Sequence, residues 1–190
     1  MKNQLLSIIV LALLTFTACK QAENSETAEA EVEVTTLDNA TFDKRVAALR
    51  AFVKAHCDED IEAQAVLISD TLKWSPPNYR ENPWLGKSDF IAALQGYHDN
   101  FENITYTEGV VVPDGSPGGF FAGSAYSKEG GSSDPNGIRC YGVWKATHTE
   151  SGKTIGVKWF GIAGFNDDNK IAMWTEYWDV NGLAVQIAED

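Results

Sequence analysis

A glutamate near the end of the chain stands between two tryptophans, with one residue on either side: Trp174, Glu176 and Trp178. The surrounding run 171–180 is rich in β-branched and aromatic residues, which favours a β-strand. Side chains of a strand alternate between its two faces, so these three share one face. A carboxyl between indole rings in an apolar cavity loses solvation of its charged form. Its pKa would then rise toward the range useful for proton transfer.

A second interpretation of the same residues needs no ligand. On a half-exposed sheet face, Glu176 would pair with Lys158 or Lys145. The chain's 6 tryptophans also fit two interpretations, because aromatic residues are good strand formers and core fillers. Either they pack the core, or two or three of them stack on a flat, sugar-like or ring-shaped ligand.

The positions of two histidines, both on predicted helices, favour structural roles for them. His56, Cys57 and Asp58 adjoin at a predicted helix end, but no second ligand cluster accompanies them, so we expect helix-end solvation. His98 and Asp99 are adjacent in a predicted helix and point about 100° apart, which favours a surface or rim position over a catalytic dyad. No phosphate-binding loop, nucleophile elbow or zinc motif is found. We therefore expect neither a metal nor a cofactor.

Helices are predicted first along the folded region. Apolar residues recur every three or four positions over 41–56, which indicates an amphipathic helix. A second helix is expected after Asp60 and carries Ile61, Ala65 and Ile68, until the prolines at 76 and 77 end it. A third is expected from about Ser88 to Phe101.

Strands follow the helices. The predicted strands are 104–112, 138–149, 154–165 and 171–180, and turn-forming segments separate the last three. Helices followed by antiparallel strands are typical of an α+β fold. Between the first two strands, residues 114–137 are rich in Gly, Ser and Pro but also contain aromatic residues. A loop of that length is either disordered or functional.

The N-terminus has the features of an export signal. Lys2 precedes an apolar run from Leu5 to Phe16, and small residues lead to Cys19. The run is shorter than the roughly 20 residues that a membrane-spanning helix needs. We interpret 1–18 as a lipoprotein signal peptide and Cys19 as the lipid-accepting residue. Lys20 follows it rather than Asp, as in lipoproteins sent to the outer membrane.

Residues 19–40 are rich in Glu, Ala, Thr and Ser and lack aromatic residues, so we expect a flexible acidic tether. The remaining residues, 41–190, suit one domain. The chain's net charge of −12 disfavours nucleic-acid partners, because binding to phosphates depends on Lys and Arg. The membrane is expected to be contacted through the lipid anchor only. Cys57 and Cys140 are either bridged or free, since an exported protein permits both.

The closing segment FNDDNKIAMWTEYWDVNGLAVQI resembles the end of the SnoaL-like branch of the nuclear transport factor 2-like superfamily. The order of three helices and then a sheet agrees with that resemblance over about residues 41–188. The resemblance implies a cone-shaped α+β domain, with three N-terminal helices packed in a curved antiparallel sheet around an apolar pocket. Members include isomerases, cyclases, dehydratases and noncatalytic binding domains.

The resemblance also implies which side chains face the pocket. The inward set comprises Trp144, Ala146, His148, Val157, Trp159, Gly161, Trp174, Glu176 and Trp178. We therefore hypothesise that Glu176 and His148 form an acid/base pair or bind a polar ligand group, and that Trp144, Trp159, Trp174 and Trp178 bind the ligand. A slip of one residue in register would invert these assignments.

Ketosteroid isomerases of this superfamily need three working groups that the chain lacks. Ser75 stands where the carboxylate base is expected, Gly161 stands where the oxyanion acid is expected, and the first helix has no tyrosine. Polyketide cyclases resemble the chain at Glu176 only. The sequence thus predicts a small-molecule-binding domain, with cofactor-free isomerase, cyclase or dehydratase chemistry if it is an enzyme. The alternative is a noncatalytic partner-binding module or homodimer that uses the outer face of the sheet, with Met173, Thr175 and Tyr177.

Overall fold

The computed structural model describes residues 39–109, 121–124 and 134–188. The predicted signal peptide, Cys19 and nearly all of the predicted tether lie outside these ranges. Helices precede most of the strands, which confirms the α+β class. In chain order the elements are α1 (Asn39–Cys57), α2 (Ile61–Leu67), β1 (Ile68–Ser75), α3 (Lys87–Asn100), β2 (Phe101–Glu108), β3 (Phe121–Ser124), β4 (Asp134–His148), β5 (Thr154–Phe165), β6 (Ile171–Tyr177) and α4 (Val180–Ala188).

The strands form one sheet in the order β1-β6-β5-β4-β2, and β3 also pairs with β4. The β4–β5 and β5–β6 pairs are antiparallel, as predicted for consecutive strands joined by short turns. The first pair, β1 with β6, is parallel. The sheet is therefore mixed and not, as had been predicted, antiparallel throughout. The strand β1, which comes before α3 in the chain, lies at the sheet edge beside the last strand and runs in the same direction as it.

The strand β1 was not predicted. Ile68 was assigned to the second helix, but its backbone is extended, with φ −99° and ψ 132°. Leu72 and Trp74 are buried, and the intervening Lys73 is exposed, which is the alternation of a strand packed on one face. Helix α2 passes directly into β1 with neither glycine nor proline between them, so no residue in the sequence marks the boundary.

The C-terminal helix α4 was also missed. Asp179 precedes it, and its Oδ1 accepts a hydrogen bond of 2.7 Å from the backbone N–H of Gly182, which satisfies one of the free donors of the first turn. Leu183 and Ile187, four residues apart, pack against the small apolar cluster that includes Ile155. This spacing and the preceding aspartate are a sequence signal for the helix.

Helices α1 and α3 pack against the sheet face that carries Trp174. Phe52 from α1 lies 5.4 Å from the Trp174 ring and 6.0 Å from the ring of Phe90 on α3, measured between ring centroids. The buried Arg45 anchors the other end of α1, where its Nε donates a hydrogen bond of 3.1 Å to Asn169 Oδ1 in the β5–β6 turn. We call this helix-covered side the inner face.

Three open questions from the sequence receive partial answers. Cys57 is half-buried, Cys140 is buried, and both are free thiols. Within the predicted loop 114–137, Phe121–Ser124 forms β3 and β4 begins at Asp134, while the rest of the loop lies outside the described residues. In the described ranges, no helix has the length and apolar character needed to cross a membrane.

Candidate ligand pocket

A pocket of about 100 Å³, partly open to solvent, lies between the inner face of the sheet and the helices. Helix α1 supplies Phe52 and His56, α3 supplies Phe90 and Tyr97, and α4 supplies Leu183. The size is of the same order as an engineered apolar cavity of about 150 Å³ that binds benzene. The pocket can therefore admit a small ring compound.

The sheet side of the pocket carries the residues that the strand alternation placed together. Trp174, Glu176 and Trp178 all line it, as do Trp144 from β4 and Trp159 from β5. Of the nine residues predicted to face inward, these five, Ala146 and Val157 line the pocket, whereas His148 and Gly161 do not. The role of the four tryptophans in binding a ligand stays a prediction.

The carboxyl of Glu176 is held in place by an indole. Its Oε2 accepts a hydrogen bond of 2.7 Å from Trp159 Nε1. Trp159 is itself buried, with 5% of its surface exposed, so its ring has little freedom to move. The hydrogen bond fixes the half-buried Glu176 side chain on the sheet side of the pocket.

Two opposing effects act on the protonation of Glu176. Burial raises its pKa, and nearby indole N–H groups, first that of Trp159 and then those of Trp174 and Trp74, oppose the rise because they stabilise the carboxylate. The Nε1 atoms of Trp74 and Trp174 are buried and make no hydrogen bond of ordinary geometry with any described residue. Glu176 is therefore a carboxyl of raised pKa among indole donors, as a general acid or base in a pocket requires.

The salt-bridge interpretation of Glu176 is not what the structure shows. In the described part of the chain, the ion pairs involve Arg50, Lys54 and Lys87, and none includes Glu176. Lys158 is exposed on β5, where its side chain alternates with those of the inward Val157 and Trp159. Lys145 lines the pocket but is solvent-exposed.

The prediction that His148 reaches into the pocket beside Glu176 is wrong. His148 is the last residue of β4, and its Nδ1 lies 2.9 Å from Ser151 Oγ and accepts the backbone N–H of Ser151 at 3.3 Å. The ring thus belongs to the β4–β5 turn and is not part of the pocket lining. Alternation put His148 on the correct face, but the strand ends there, beyond the reach of the pocket.

His56 is the imidazole that the pocket contains. Its ring packs edge-on against Trp144 at 5.1 Å, and its Nδ1 lies 2.9 Å from Nε2 of His98. Burial and the neighbouring His98 lower the pKa of His56 to about 4, so the ring is neutral at pH 7. The prediction of helix-end solvation is wrong for His56, whose ring lines the pocket. His98 is half-buried, which agrees with a rim position, and its ring pairs with that of His56 across α1 and α3.

Tyr97 on α3 is a further polar group at the pocket. It lines the pocket, and its ring lies 6.4 Å from that of Trp178. Burial, and then the charge of Glu176, raise the pKa of Tyr97 above its ordinary range. Its hydroxyl therefore keeps its proton at neutral pH and can act as a hydrogen-bond donor near the carboxyl.

Gly161 faces Glu176 across the β5–β6 pair, and the absence of a side chain there has a structural reason. A Cβ atom at residue 161 would overlap the six-membered ring of Trp159. The indole thus occupies the space in which a side chain at 161 would lie. This geometry lets Trp159 Nε1 reach the carboxyl on the next strand.

We expect Gly161→Ala to push the Trp159 ring aside and weaken its hydrogen bond to Glu176. Overpacking of this kind costs about 1–3 kcal/mol of unfolding free energy, measured by urea denaturation, and should shift the tryptophan emission spectrum. Gly156→Ala on the same strand is the matched control, because the added Cβ would meet only ordinary contacts at 3.5 Å and beyond. Equal stability of the two variants would contradict the close packing at Gly161.

In the described ranges, no three His, Cys, Asp or Glu side chains are grouped so that they could hold a metal ion.

By sequence, no family model matches the chain and no curated protein matches it. Solved structures do resemble it.

A proposed isomerase from Bacillus subtilis matches with a TM-score of 0.58 at 16% identity, covering 77% of this chain and 96% of that one. IdmH, a proposed polyketide cyclase from Streptomyces antibioticus, matches with a TM-score of 0.55 at 13% identity, covering 76% and 98%. An NTF2-like protein from Burkholderia thailandensis matches with a TM-score of 0.52 at 12% identity, covering 77% and 98%. The predicted resemblance is confirmed at the level of the fold: the chain has the nuclear transport factor 2-like fold.

Proposed function

We propose that the domain binds a small, mostly apolar or ring-containing molecule in the pocket and performs cofactor-free acid/base chemistry on it. The observation that supports this most directly is the hydrogen bond of 2.7 Å that fixes Glu176 among indole rings. Proposed isomerases and cyclases occur among the structures that share the fold, which agrees with isomerase, cyclase or dehydratase chemistry.

The residues of the pocket suit proton transfer at a carbon next to a carbonyl group. Glu176 takes the proton, and the electrons of the C–H bond move toward the carbonyl oxygen. Tyr97 donates a hydrogen bond to that oxygen as its negative charge develops. The proton then returns from Glu176 to another carbon or leaves with a hydroxyl as water, and His56 bounds the same space.

We also propose that the domain works outside the cytoplasm. Signal residues 1–18 would direct export and be removed, and the lipidated Cys19 would then anchor the chain to the cell envelope, at the outer membrane. The acidic tether would hold the domain away from the lipid surface. A shift in mass of the mature chain that is lost in Cys19→Ala would test the anchor.

The second candidate function is a noncatalytic module that binds a partner or a second copy through the outer face of the sheet. Tyr141, Phe160 and Tyr177 stack there in a row, with ring centroids 4.8 Å and 5.9 Å apart. Tyr177 is 60% exposed. A row of stacked rings that ends in an exposed tyrosine favours an interface at this face.

Titration of the full chain with benzyl alcohol or cyclohexanol, followed by tryptophan fluorescence, tests ligand binding. A neutral, sugar-headed detergent keeps the chain soluble and provides the blank. We expect a saturable change that persists in Trp84→Phe, because Trp84 is 56% exposed and is not in the pocket lining. A dimer in solution that shows no response to either compound would favour the noncatalytic module.

A further inference from the structure

In the part of the chain that the structure describes, the carboxyl of Glu176 has an indole donor but no cation paired with it. Glu176 lies in an apolar pocket and forms no ion pair with any described Lys or Arg. The lining cation, Lys145, is exposed to solvent. A carboxylate that is partly removed from water and has no counter-charge is costly, because the lost solvation of the ion is not offset by an attraction.

Aromatic rings line the pocket that contains this carboxyl. Trp159 and Trp174 stack with 5.7 Å between ring centroids, and Trp144 lies 6.1 Å from Trp159. Tyr97 and Trp178 complete the group of rings on the α3 side. Ring faces carry partial negative charge and attract cations, most strongly in tryptophan.

The imidazole of the pocket does not supply the missing positive charge. His56 has a pKa of about 4 and is neutral at pH 7. The net charge of the chain is −12, and an acidic protein draws cations toward its surface. The local and the overall electrostatics thus favour the same sign of ligand charge.

We propose that the ligand carries a positively charged ammonium group, which Glu176 neutralises and the tryptophan rings surround. This inference rests on the proposed function, since it names the ligand class of the same pocket. Binding of the cation also keeps Glu176 ionised, because a positive charge nearby stabilises the carboxylate. The carboxylate form is the form that can take a proton.

Benzylammonium and benzyl alcohol make the test, since they share ring and length and differ in charge at pH 7. Calorimetric titration of the full chain in a sugar-headed detergent gives both dissociation constants. We expect benzylammonium to bind at least about tenfold more tightly than benzyl alcohol. We expect the preference to disappear in Glu176→Gln and to persist in Glu62→Gln, which removes an exposed carboxylate on α2.

The outcomes separate the two proposals. Saturable binding of benzyl alcohol with equal or weaker binding of benzylammonium overturns the ammonium proposal and leaves the pocket's ligand-binding function standing. A preference for benzylammonium that survives Glu176→Gln also overturns it, because the charge recognised would lie elsewhere. Binding of neither compound counts against both proposals. Near-ultraviolet circular dichroism of each variant confirms that the tryptophans remain packed.

Discussion

Glu176→Gln is expected to lower the rate of proton removal from a ring substrate by about 10²–10⁴-fold, the usual contribution of one general base. A suitable substrate is 5-nitrobenzisoxazole. A carboxylate takes its C–H proton, the ring N–O bond breaks, and a coloured cyanophenolate forms. Glutamine has the same shape and its carbonyl can still accept the hydrogen bond of Trp159, but it cannot take the proton. The measurement is kcat/KM from product absorbance.

The pH profile gives a second readout of the same residue. Only the ionised carboxylate accepts a proton, so kcat/KM of the wild type should rise with pH. Because burial raises the pKa of Glu176, the midpoint should lie above the ordinary glutamate value of about 4.3. Glu62→Gln is the control and should keep both the rate and the midpoint. An unchanged rate in Glu176→Gln would leave the pocket with a binding role alone.

Trp174→Ala is expected to lower the free energy of unfolding by about 3–5 kcal/mol, the range for large aromatic truncations in a core. The ring is 2% exposed and contacts Phe52, Phe90 and Trp159, with centroids 5.4, 5.9 and 5.7 Å away. Its loss removes these three ring contacts, two of which join the helices α1 and α3 to the sheet. Urea denaturation, with the slope compared between variants, measures the effect.

Trp84→Ala is the matched control for this prediction, since it makes the same substitution at a ring that is 56% exposed. Surface substitutions usually change stability by less than about 0.5 kcal/mol. If both variants lost similar stability, Trp174 would not be the packing centre between the helices and the sheet.

The sequence predicted well wherever one local pattern decides the structure. The limits of β5, Thr154–Phe165, were predicted to the residue, because turn-forming segments border it on both sides. Alternation along β6 then placed Trp174, Glu176 and Trp178 on one face. The resemblance supplied the information that this face is the covered one.

The rest of the site depends on contacts between segments that are distant in sequence. His56 and His98 are 42 residues apart in the chain. The sequence around neither residue indicates that their two rings are in contact. The spacing of Tyr97 on α3 indicates only a side chain that packs inward, and it does not indicate that the hydroxyl lies at a pocket. His148 was misplaced because alternation gives the face of a side chain and not how far along the strand the pocket extends.

The close approach of Trp159 to Gly161 also constrains how this pocket can change through mutation. Any residue larger than glycine at 161 collides with the indole, and loss of the indole alone leaves Glu176 without its donor. An evolutionary or engineered route to a second acidic group at 161 must therefore shrink residue 159 first or change both positions together. The effects of the two substitutions would not add, and the order in which they arise would decide whether the intermediate protein works.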